Sequence, residues 1–227
     1  MKTHPLDYVF SLLAMGFLAG LAGLFVAFWV VPWSGRWLGS YGILADAALF
    51  LLAYGLFSGI FLRSLLALWP LRPGDYSMDD PHFSYWKFYT VLHEFGRGAL
   101  LPFTTVFSKP VVSALFGARM GRNVAMGGHL VDPPLISVGR HAVLGLDSVI
   151  MAHAITSGRI ILREVKVGEG STVGVHAIIM PGVEIGPGAI VAAGSVVPMG
   201  TRIGPGELWA GIPARKIRDV RPDEIQG

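Results

Sequence analysis

Two histidines in the C-terminal half of the chain have the side chain and the spacing for proton-transfer chemistry. His153 and His176 each occupy the fourth place of a six-residue repeat, and they are 23 positions apart. Imidazole changes its protonation near neutral pH and is the commonest general base. The chain contains no cysteine, which excludes disulfides, thiol catalysis and zinc–thiolate sites. How the two histidines are placed depends on the repeat that carries them.

That repeat is a hexapeptide pattern, which runs unbroken from Val167 to Ala214. An aliphatic residue opens nearly every sextet, glycine often follows, and a small or β-branched residue comes four positions after the opener. A strict short period of this kind is typical of a β-helical solenoid, in which each coil is a triangle of three sextets. The pattern therefore predicts an all-β parallel solenoid over residues 117–215, with the aliphatic openers stacked in its core.

The period fails once, between Ile150 and Val167. A sextet counted from Ile150 leaves eleven residues, 156–166, where six are expected, so five residues would loop out at one corner. Loops carried by a rigid scaffold are common places for binding residues. When these five looped residues are subtracted from the 23 positions between His153 and His176, 18 remain, which is one full coil. His153 and His176 are therefore predicted to stack on one edge of the prism, about 4.8 Å apart.

The N-terminal third has the composition of membrane-spanning helices. The whole chain is 52% hydrophobic with a mean hydropathy of +0.57. Val9 to Val31 has no charged residue, and Ile43 to Leu62 has only Asp46. Each stretch is long enough, as a helix, to cross a hydrocarbon core of about 30 Å. The sequence therefore predicts an α-helical two-span transmembrane hairpin over residues 1–70. A net charge of +3 without a basic run argues against nucleic acid as a partner.

The flanking basic residues predict the orientation of this hairpin. Lys2 precedes the first helix, Arg63 and Arg72 follow the second, and only Arg36 lies between them. Positively charged residues collect on the cytoplasmic side of membrane proteins. We therefore expect an integral protein of the bacterial inner membrane, with both termini and the β-helix domain in the cytoplasm.

A connecting segment, residues 71–116, separates the predicted hairpin from the repeat. Asp80 followed by Pro81 is a typical helix start. The aromatic-rich residues that follow predict an amphipathic helix lying in the headgroup region. A helix packed on the end of the solenoid is the alternative. Residues 216–227 are expected to form a C-terminal tail.

Several blocks of the repeat region resemble the hexapeptide-repeat acyltransferases. They are Ile150-Met-Ala-His153 with the polar loop after it, Val191-Ala-Ala-Gly-Ser-Val-Val, and Gly211-Ile-Pro-Ala-Arg215. The resemblance implies a left-handed parallel β-helix that forms homotrimers, with active sites in clefts between subunits and acyl-CoA as donor. With Trp69-Pro-Leu-Arg-Pro-Gly and the hairpin included, the chain also looks like the membrane-bound terminal modules of poly-lysine-synthetase-like peptide synthetases, without their adenylation or carrier domains.

The resemblance also implies roles for individual residues. His153 stands where the family has its catalytic histidine, which removes a proton from the acceptor. Ala193 matches a small residue along which the pantetheine lies, and Arg215 and Arg218 match arginines that contact the phosphates of the coenzyme. His176 stands where the family usually has a small residue. Three roles are open for it: it orients His153, it contacts the acceptor, or it obstructs the coenzyme. Pro198-Met199 stands where the soluble enzymes usually have Thr-Lys.

These residues lead to one function and to alternatives. The expected function is that of a membrane-bound acyltransferase, which moves an acyl group (acetyl, by the resemblance) from acyl-CoA to a hydroxyl or amine of a membrane-associated or amphiphilic acceptor. An amide- or peptide-bond-forming transferase, a γ-carbonic-anhydrase-like zinc enzyme and a non-catalytic scaffold are the alternatives. No metal is expected, since no two histidines have the spacing His-x4-His that the zinc family carries.

The remaining polar residues have ordinary structural explanations. We expect His129 and His141 to be structural or surface residues, and Asp132, which precedes two prolines, to be a turn residue. Arg159 and Arg163 in the interrupting loop either bind an anionic acceptor or are simply solvated.

Overall fold

The computed structural model describes residues 5–221, which form two compact units. The helical unit comprises residues 5–69 and 79–104, and the β unit comprises residues 70–78 and 105–221. The predicted connecting segment is thus divided between the two units. Lys2, and residues 222–227 of the expected tail 216–227, lie outside the described residues.

The helical unit begins with a long apolar run that folds back on itself. Its elements are α1 (Pro5–Phe25), a π-helical turn (Val26–Val30), α2 (Val31–Leu38), a 3-10 turn (Gly39–Tyr41) and α3 (Gly42–Leu68). The chain reverses at Gly39, whose φ of 54° lies in the left-handed region. Two contacts join the segments before and after this reversal: the Ser34 hydroxyl donates to the Asp46 carboxylate at 2.6 Å, and Phe25 packs edge-on against Phe57.

The run from Pro5 to Leu68 is long and apolar enough to cross a membrane. Many of its large apolar side chains are exposed, among them Leu13, Phe28 and Trp29. Exposed apolar surface of this extent is unusual for a protein in water. That the two halves of the run cross a bilayer as separate spans remains a proposal.

The predicted helix after Asp80 is present as α4 (Pro81–Leu100), which leads into a 3-10 turn (Leu101–Phe103). Its start is confirmed, since the Asp80 carboxylate accepts the backbone N–H of His82 at 2.8 Å. Its apolar face is buried against α1 and α3, where Lys87 forms an ion pair with Asp7. The helix therefore packs as part of the helical bundle, and its apolar face is covered by protein.

The β unit confirms the predicted parallel solenoid. A short helix, α5 (Lys109–Leu115), precedes coils that have three faces. Strands within a face pair in parallel with the next coil, and the last two strands of face 2 form an antiparallel hairpin.

Face 1 contains β2 (Arg119–Met120), β5 (Ile136–Val138), β10 (Val165–Val167), β13 (Glu184–Ile185) and β16 (Arg202–Ile203). Face 2 contains β3 (Ala125–Met126), β6 (Val143–Leu144), β11 (Thr172–Val173), β14 (Ile190–Val191), β17 (Glu207–Gly211) and β18 (Ala214–Asp219). Face 3 contains β4 (His129–Val131), β7 (Val149–Met151), β12 (Ile178–Ile179) and β15 (Val196–Val197).

The predicted openers form the core of the coil. Val138, Val167 and Ile185 stack on face 1, each at most 3% exposed. Burial of such aliphatic side chains provides the main driving force for the coil.

The register corrects the length of the interruption. Val167 pairs with Val138, 29 residues earlier, whereas Ile185 pairs with Val167, 18 residues earlier. The interrupted coil therefore contains eleven extra residues, and the predicted five was wrong. The chain leaves the coil directly after Ala152, because the strand that follows belongs to a hairpin and not to a further sextet.

The same register overturns the predicted stacking of His153 on His176. Ile178 pairs with Val149, so His176 stacks on Asp147. Both residues have left-handed backbones, with φ of 56° and 53°, and Gly194 takes the next such position in that column. They lie on the edge between faces 2 and 3, whereas His153 follows face 3 on the edge between faces 3 and 1. A left-handed corner explains the residue types, since histidine and aspartate tolerate that conformation better than most.

The extra residues form a hairpin outside the coil. Its strands are β8 (His153–Thr156) and β9 (Arg159–Leu162), joined by the two-residue turn Ser157-Gly158. Both turn residues have positive φ, 43° and 80°, as a type I′ turn requires. A third strand, β1 (Gly74–Ser77), pairs antiparallel with β9. This three-stranded sheet is separate from the three faces.

Candidate active site

His153 lies where the hairpin leaves the coil, and a carboxylate from the preceding coil contacts it. The Nδ1 atom of His153 is 2.5 Å from Oδ2 of Asp132. The Asp132 side chain is 1% exposed, while that of His153 is 21% exposed. A buried carboxylate therefore holds an imidazole that still reaches the surface.

The backbone explains why Asp132 arrives at this place. Strand β4 pairs with β7 so that Val131 lies beside Met151, and the next residues along the two chains are Asp132 and Ala152. Asp132 adopts a left-handed conformation, with φ of 65°, before the 3-10 turn Pro133–Leu135. The prediction that Asp132 is a turn residue is confirmed, but its contact with His153 was missed. No local pattern marks this contact, because it depends on the pairing of β4 with β7, in which His129 lies opposite Val149, 20 residues later in the chain.

This arrangement determines the tautomer of the neutral His153 ring. An ionised carboxylate can only accept hydrogen bonds, so the Nδ1 atom carries the hydrogen and donates it to Asp132. In the neutral ring, Nε2 then bears the lone pair that accepts a proton. The buried carboxylate also stabilises the imidazolium that forms when Nε2 is protonated. The pair has the composition of a general base with its orienting group.

The two other predicted residues on the coil lie on a different edge. His176 is exposed, and its backbone N–H donates to the Leu146 carbonyl at 3.0 Å. Ala193 is also exposed and directly precedes Gly194, whose N–H donates to the Val175 carbonyl at 2.8 Å. His176 and Ala193 therefore share the edge between faces 2 and 3, and neither shares an edge with His153.

The two predicted arginines lie on the terminal strand β18. Arg215 pairs with Ala210, and Arg218 pairs with Leu208. Residues three apart on a regular strand would face opposite sides, but the register shifts by one residue between Leu208 and Trp209. We infer that this bulge brings Arg215 and Arg218 to the same side of the hairpin. Guanidinium groups are suited to contact phosphate.

Within residues 5–221, no group of three histidine, aspartate or glutamate side chains is arranged to hold a metal ion.

Comparisons with known proteins agree with the architecture of the coil. Residues 164–198 match the family model of the bacterial transferase hexapeptide (six repeats). No curated protein matches the chain. The matched segment lies inside the solenoid, so the match and the parallel coils identify the same part of the chain as a hexapeptide repeat.

Three solved structures illustrate the similarity. A hexapeptide-repeat-containing acetyltransferase from Vibrio cholerae O1 biovar eltor, complexed with acetyl coenzyme A, is 24% identical with a TM-score of 0.43, over 46% of this chain and 61% of that one. A galactoside acetyltransferase in complex with coenzyme A is 24% identical with a TM-score of 0.41, over 48% of this chain and 57% of that one. A maltose O-acetyltransferase from Clostridium difficile 630 is 19% identical with a TM-score of 0.40, over 74% of this chain and 97% of that one. The chain thus spans less than two thirds of the first two proteins.

Proposed function

We propose that the protein is an acyltransferase, which moves an acyl group from acyl-CoA to a hydroxyl or amine with His153 as the general base. The observation that carries the proposal is the 2.5 Å contact between His153 and the buried Asp132. The transferase hexapeptide match at residues 164–198 supports the reaction class. An acetyl group is the first donor to test.

The chemistry follows from the tautomer of His153. Its Nε2 takes the proton from the acceptor while the acceptor oxygen or nitrogen attacks the thioester carbonyl carbon. The carbon–sulfur bond then breaks, and the imidazolium returns the proton to the departing thiolate of CoA. The Asp132 carboxylate stabilises the imidazolium between the two transfers. The negative charge on the thioester oxygen needs a hydrogen-bond donor at the site.

The donor site would involve residues away from His153. Ala193, on the edge between faces 2 and 3, would let the pantetheine lie close to the coil, and Arg215 and Arg218 would bind the phosphates. Since His153 is on another edge, one coil cannot bring its own base to a donor lying along Ala193. The site therefore requires a second chain, which agrees with the homotrimer that the family resemblance implies.

The helical unit would hold the enzyme at a bilayer. Its exposed apolar side chains favour lipid contact, and an enzyme held there meets amphiphilic or lipid-linked acceptors in two dimensions. We propose that α1 with α2 and α3 form two spans, with the β unit on the cytoplasmic side of the bacterial inner membrane.

Thiol release from acyl-CoA tests the proposal. The full chain in detergent or lipid would be incubated with acetyl-CoA or longer acyl-CoAs and with lipid, sugar or amine acceptors. His153→Ala should lower acceptor-dependent thiol release about 10²- to 10⁴-fold. The matched control is His141→Ala, an exposed histidine at a left-handed corner of another edge, which should keep wild-type activity. If no acyl-CoA gives acceptor-dependent thiol, the proposed function fails.

His176 can be assigned with the same assay. An effect of His176→Ala on kcat alone would support a role in the chemistry, whereas an effect on the KM of one substrate would assign it to the acceptor or to the donor.

A further inference from the structure

The hairpin that begins with His153 is extended by a strand from a distant part of the sequence. Strand β1 (Gly74–Ser77) lies in the connection between α3, which ends at Leu68, and α4, which begins at Pro81. It pairs with the whole length of β9, from Gly74 opposite Leu162 to Ser77 opposite Arg159. The connection between two helices of the helical unit therefore forms the edge strand of the sheet that carries the proposed base.

The pairing pattern identifies the backbone groups that hold β1. The Arg163 N–H donates to the Ala152 carbonyl at 2.9 Å, and this bond fixes the alternation along the hairpin. Arg159 and Ile161 consequently bond to β8, and Ile160 and Leu162 are turned towards β1. Their partners in β1 are Tyr76 and Gly74.

A side-chain contact closes the same sheet at its base. The Arg163 guanidinium lies 2.6 Å from the Asp75 carboxylate. Arg163 follows Leu162, which is fully buried and directly opposite His153 in the hairpin. Both strands are thus held at the base of the hairpin. The contact of the His153 side chain with Asp132 holds β8, and the pairing with β1 and the ion pair between Arg163 and Asp75 hold β9.

We propose that β1 is a positioning strand, and Tyr76, Asp75 and Arg163 positioning residues, that hold the hairpin so that His153 stays against Asp132. This four-residue edge strand, in the connection between α3 and α4, pairs with β9 and with no other strand among the described residues. The expected effect on kcat rests on the proposed function, whereas the expected effect on hydrogen exchange in the hairpin rests on the sheet alone. It also makes the geometry of the base depend on the connection between α3 and α4.

Hydrogen exchange tests the structural consequence without reference to activity. Tyr76→Pro removes an N–H that faces β9, whereas Ser77→Pro removes one that faces away, and proline is tolerated at the outward positions of edge strands. In the full-length protein, the amides of residues 153–162 should exchange about tenfold faster in Tyr76→Pro and remain at the wild-type rate in Ser77→Pro. Tyr76→Phe, which removes only the hydroxyl that donates to the carbonyls of Arg72 and Pro73, should behave as wild type. Unchanged exchange in Tyr76→Pro would overturn the proposal.

Steady-state kinetics test the consequence for the base. Tyr76→Pro should lower kcat about tenfold and leave the KM for acetyl-CoA unchanged, since the proposed donor residues lie elsewhere. Asp75→Arg and Arg163→Asp should each lower kcat by less than Tyr76→Pro does, because the ion pair is partly exposed. The double exchange restores a pair of opposite charges and should recover part of the lost kcat. An equal change of the KM for acetyl-CoA would overturn the positioning role. Absence of activity in the wild type would instead contradict the proposed function, while the exchange result would still decide the role of β1.

Discussion

The imidazole of His153 and the carboxylate of Asp132 are in hydrogen-bond contact, 2.5 Å apart, although 21 positions separate them in the sequence. The carboxylate is buried and sits on a left-handed turn, so the coil itself determines where it points. Each residue comes from a different coil of the same edge. Their pairing fixes the orientation of an imidazole at the surface of this solenoid, which is why we propose His153 as the base.

Substitution of Asp132 should abolish most activity without unfolding the coil. Asparagine keeps the size of the side chain and tolerates the left-handed backbone, but its amide can donate to Nδ1 and favour the wrong tautomer. Asp132→Asn should lower kcat about 10²- to 10⁴-fold. Asn123→Asp, the reverse exchange at an exposed left-handed corner of the edge between faces 1 and 2, is the matched control. Full activity of Asp132→Asn would show that the contact has no part in catalysis.

Removal of either terminal arginine should weaken donor binding. A hydrogen bond to a charged group contributes about 1.5 to 3 kcal/mol, so Arg215→Ala or Arg218→Ala should raise the KM for acetyl-CoA roughly 10- to 100-fold with a smaller effect on kcat. Arg202→Ala, on face 1 and with a side chain 84% exposed, serves as control. With a donor that lacks the 3′-phosphate, one of the two variants should lose its defect. If both arginine variants bind acetyl-CoA normally, the phosphates are held elsewhere.

The absence of cysteine allows the membrane topology to be measured with single introduced thiols. Ser40, in the turn before α3, and Ser157, at the hairpin tip, are both exposed. If α1 with α2 and α3 form two spans with the β unit inside, an impermeant maleimide should label Ser40→Cys on intact cells and leave Ser157→Cys unlabelled. A permeant maleimide should label both. Labelling of both sites, or of the tip alone, by the impermeant reagent would contradict the proposed topology.

Close packing in the helical unit should make Gly55 sensitive to a single methyl group. A Cβ atom at Gly55 would lie 2.4 Å from Cγ of Leu100 and 2.9 Å from the Gly96 carbonyl oxygen. Gly55→Ala should therefore destabilise the helical unit by about 1 to 3 kcal/mol. Gly98→Ala has no atom within 4 Å of the new methyl group and should be neutral or stabilising by up to about 1 kcal/mol. Titration with a denaturing detergent measures the free energy of unfolding of both variants. Equal values would mean that α3 and α4 do not pack as described.

The end of the coil should lose stability in acid. Hydrogen bonds from Lys216, Trp209 and the Gly204 backbone lower the pKa of Glu207 from 4.5 to about 2. Because the folded-state pKa is the lower one, this contribution is complete above about pH 4.5 and disappears as the pH falls through about 2. Glu207→Gln should be less stable than wild type at pH 6, and the difference should shrink between pH 4.5 and 2. Thermal melting at several pH values measures it, and a constant difference would contradict the assignment.

The architecture of the coil could be predicted because it is periodic. Each sextet repeats the same local requirements, an inward aliphatic residue and a tight corner, so residues such as Val167 and Ile185 specify their burial without reference to distant parts of the chain. The helix start at Asp80 was equally local, since its side chain caps a backbone N–H two residues away. The position of His153 beside the interruption was also readable, because the failure of the period marks it.

The length of the interruption could not be read from the period. A hairpin strand and a coil strand have the same residue preferences, so nothing before residue 156 shows that the chain has already left the coil at Ala152. The sequence period therefore predicts one sextet too many in this coil and places His176 above His153, whereas His176 stacks on Asp147.

The sequence by itself determined the repeat, its inward residues, the apolar helical run and the loop beside His153, because each follows from neighbouring residues. Only the tertiary structure decided which side chains meet there. Asp132 reaches His153 through a coil of unusual length, and β1 reaches β9 from a connection between two helices. Such pairings depend on register between segments that are distant in the chain, and no local pattern records that register.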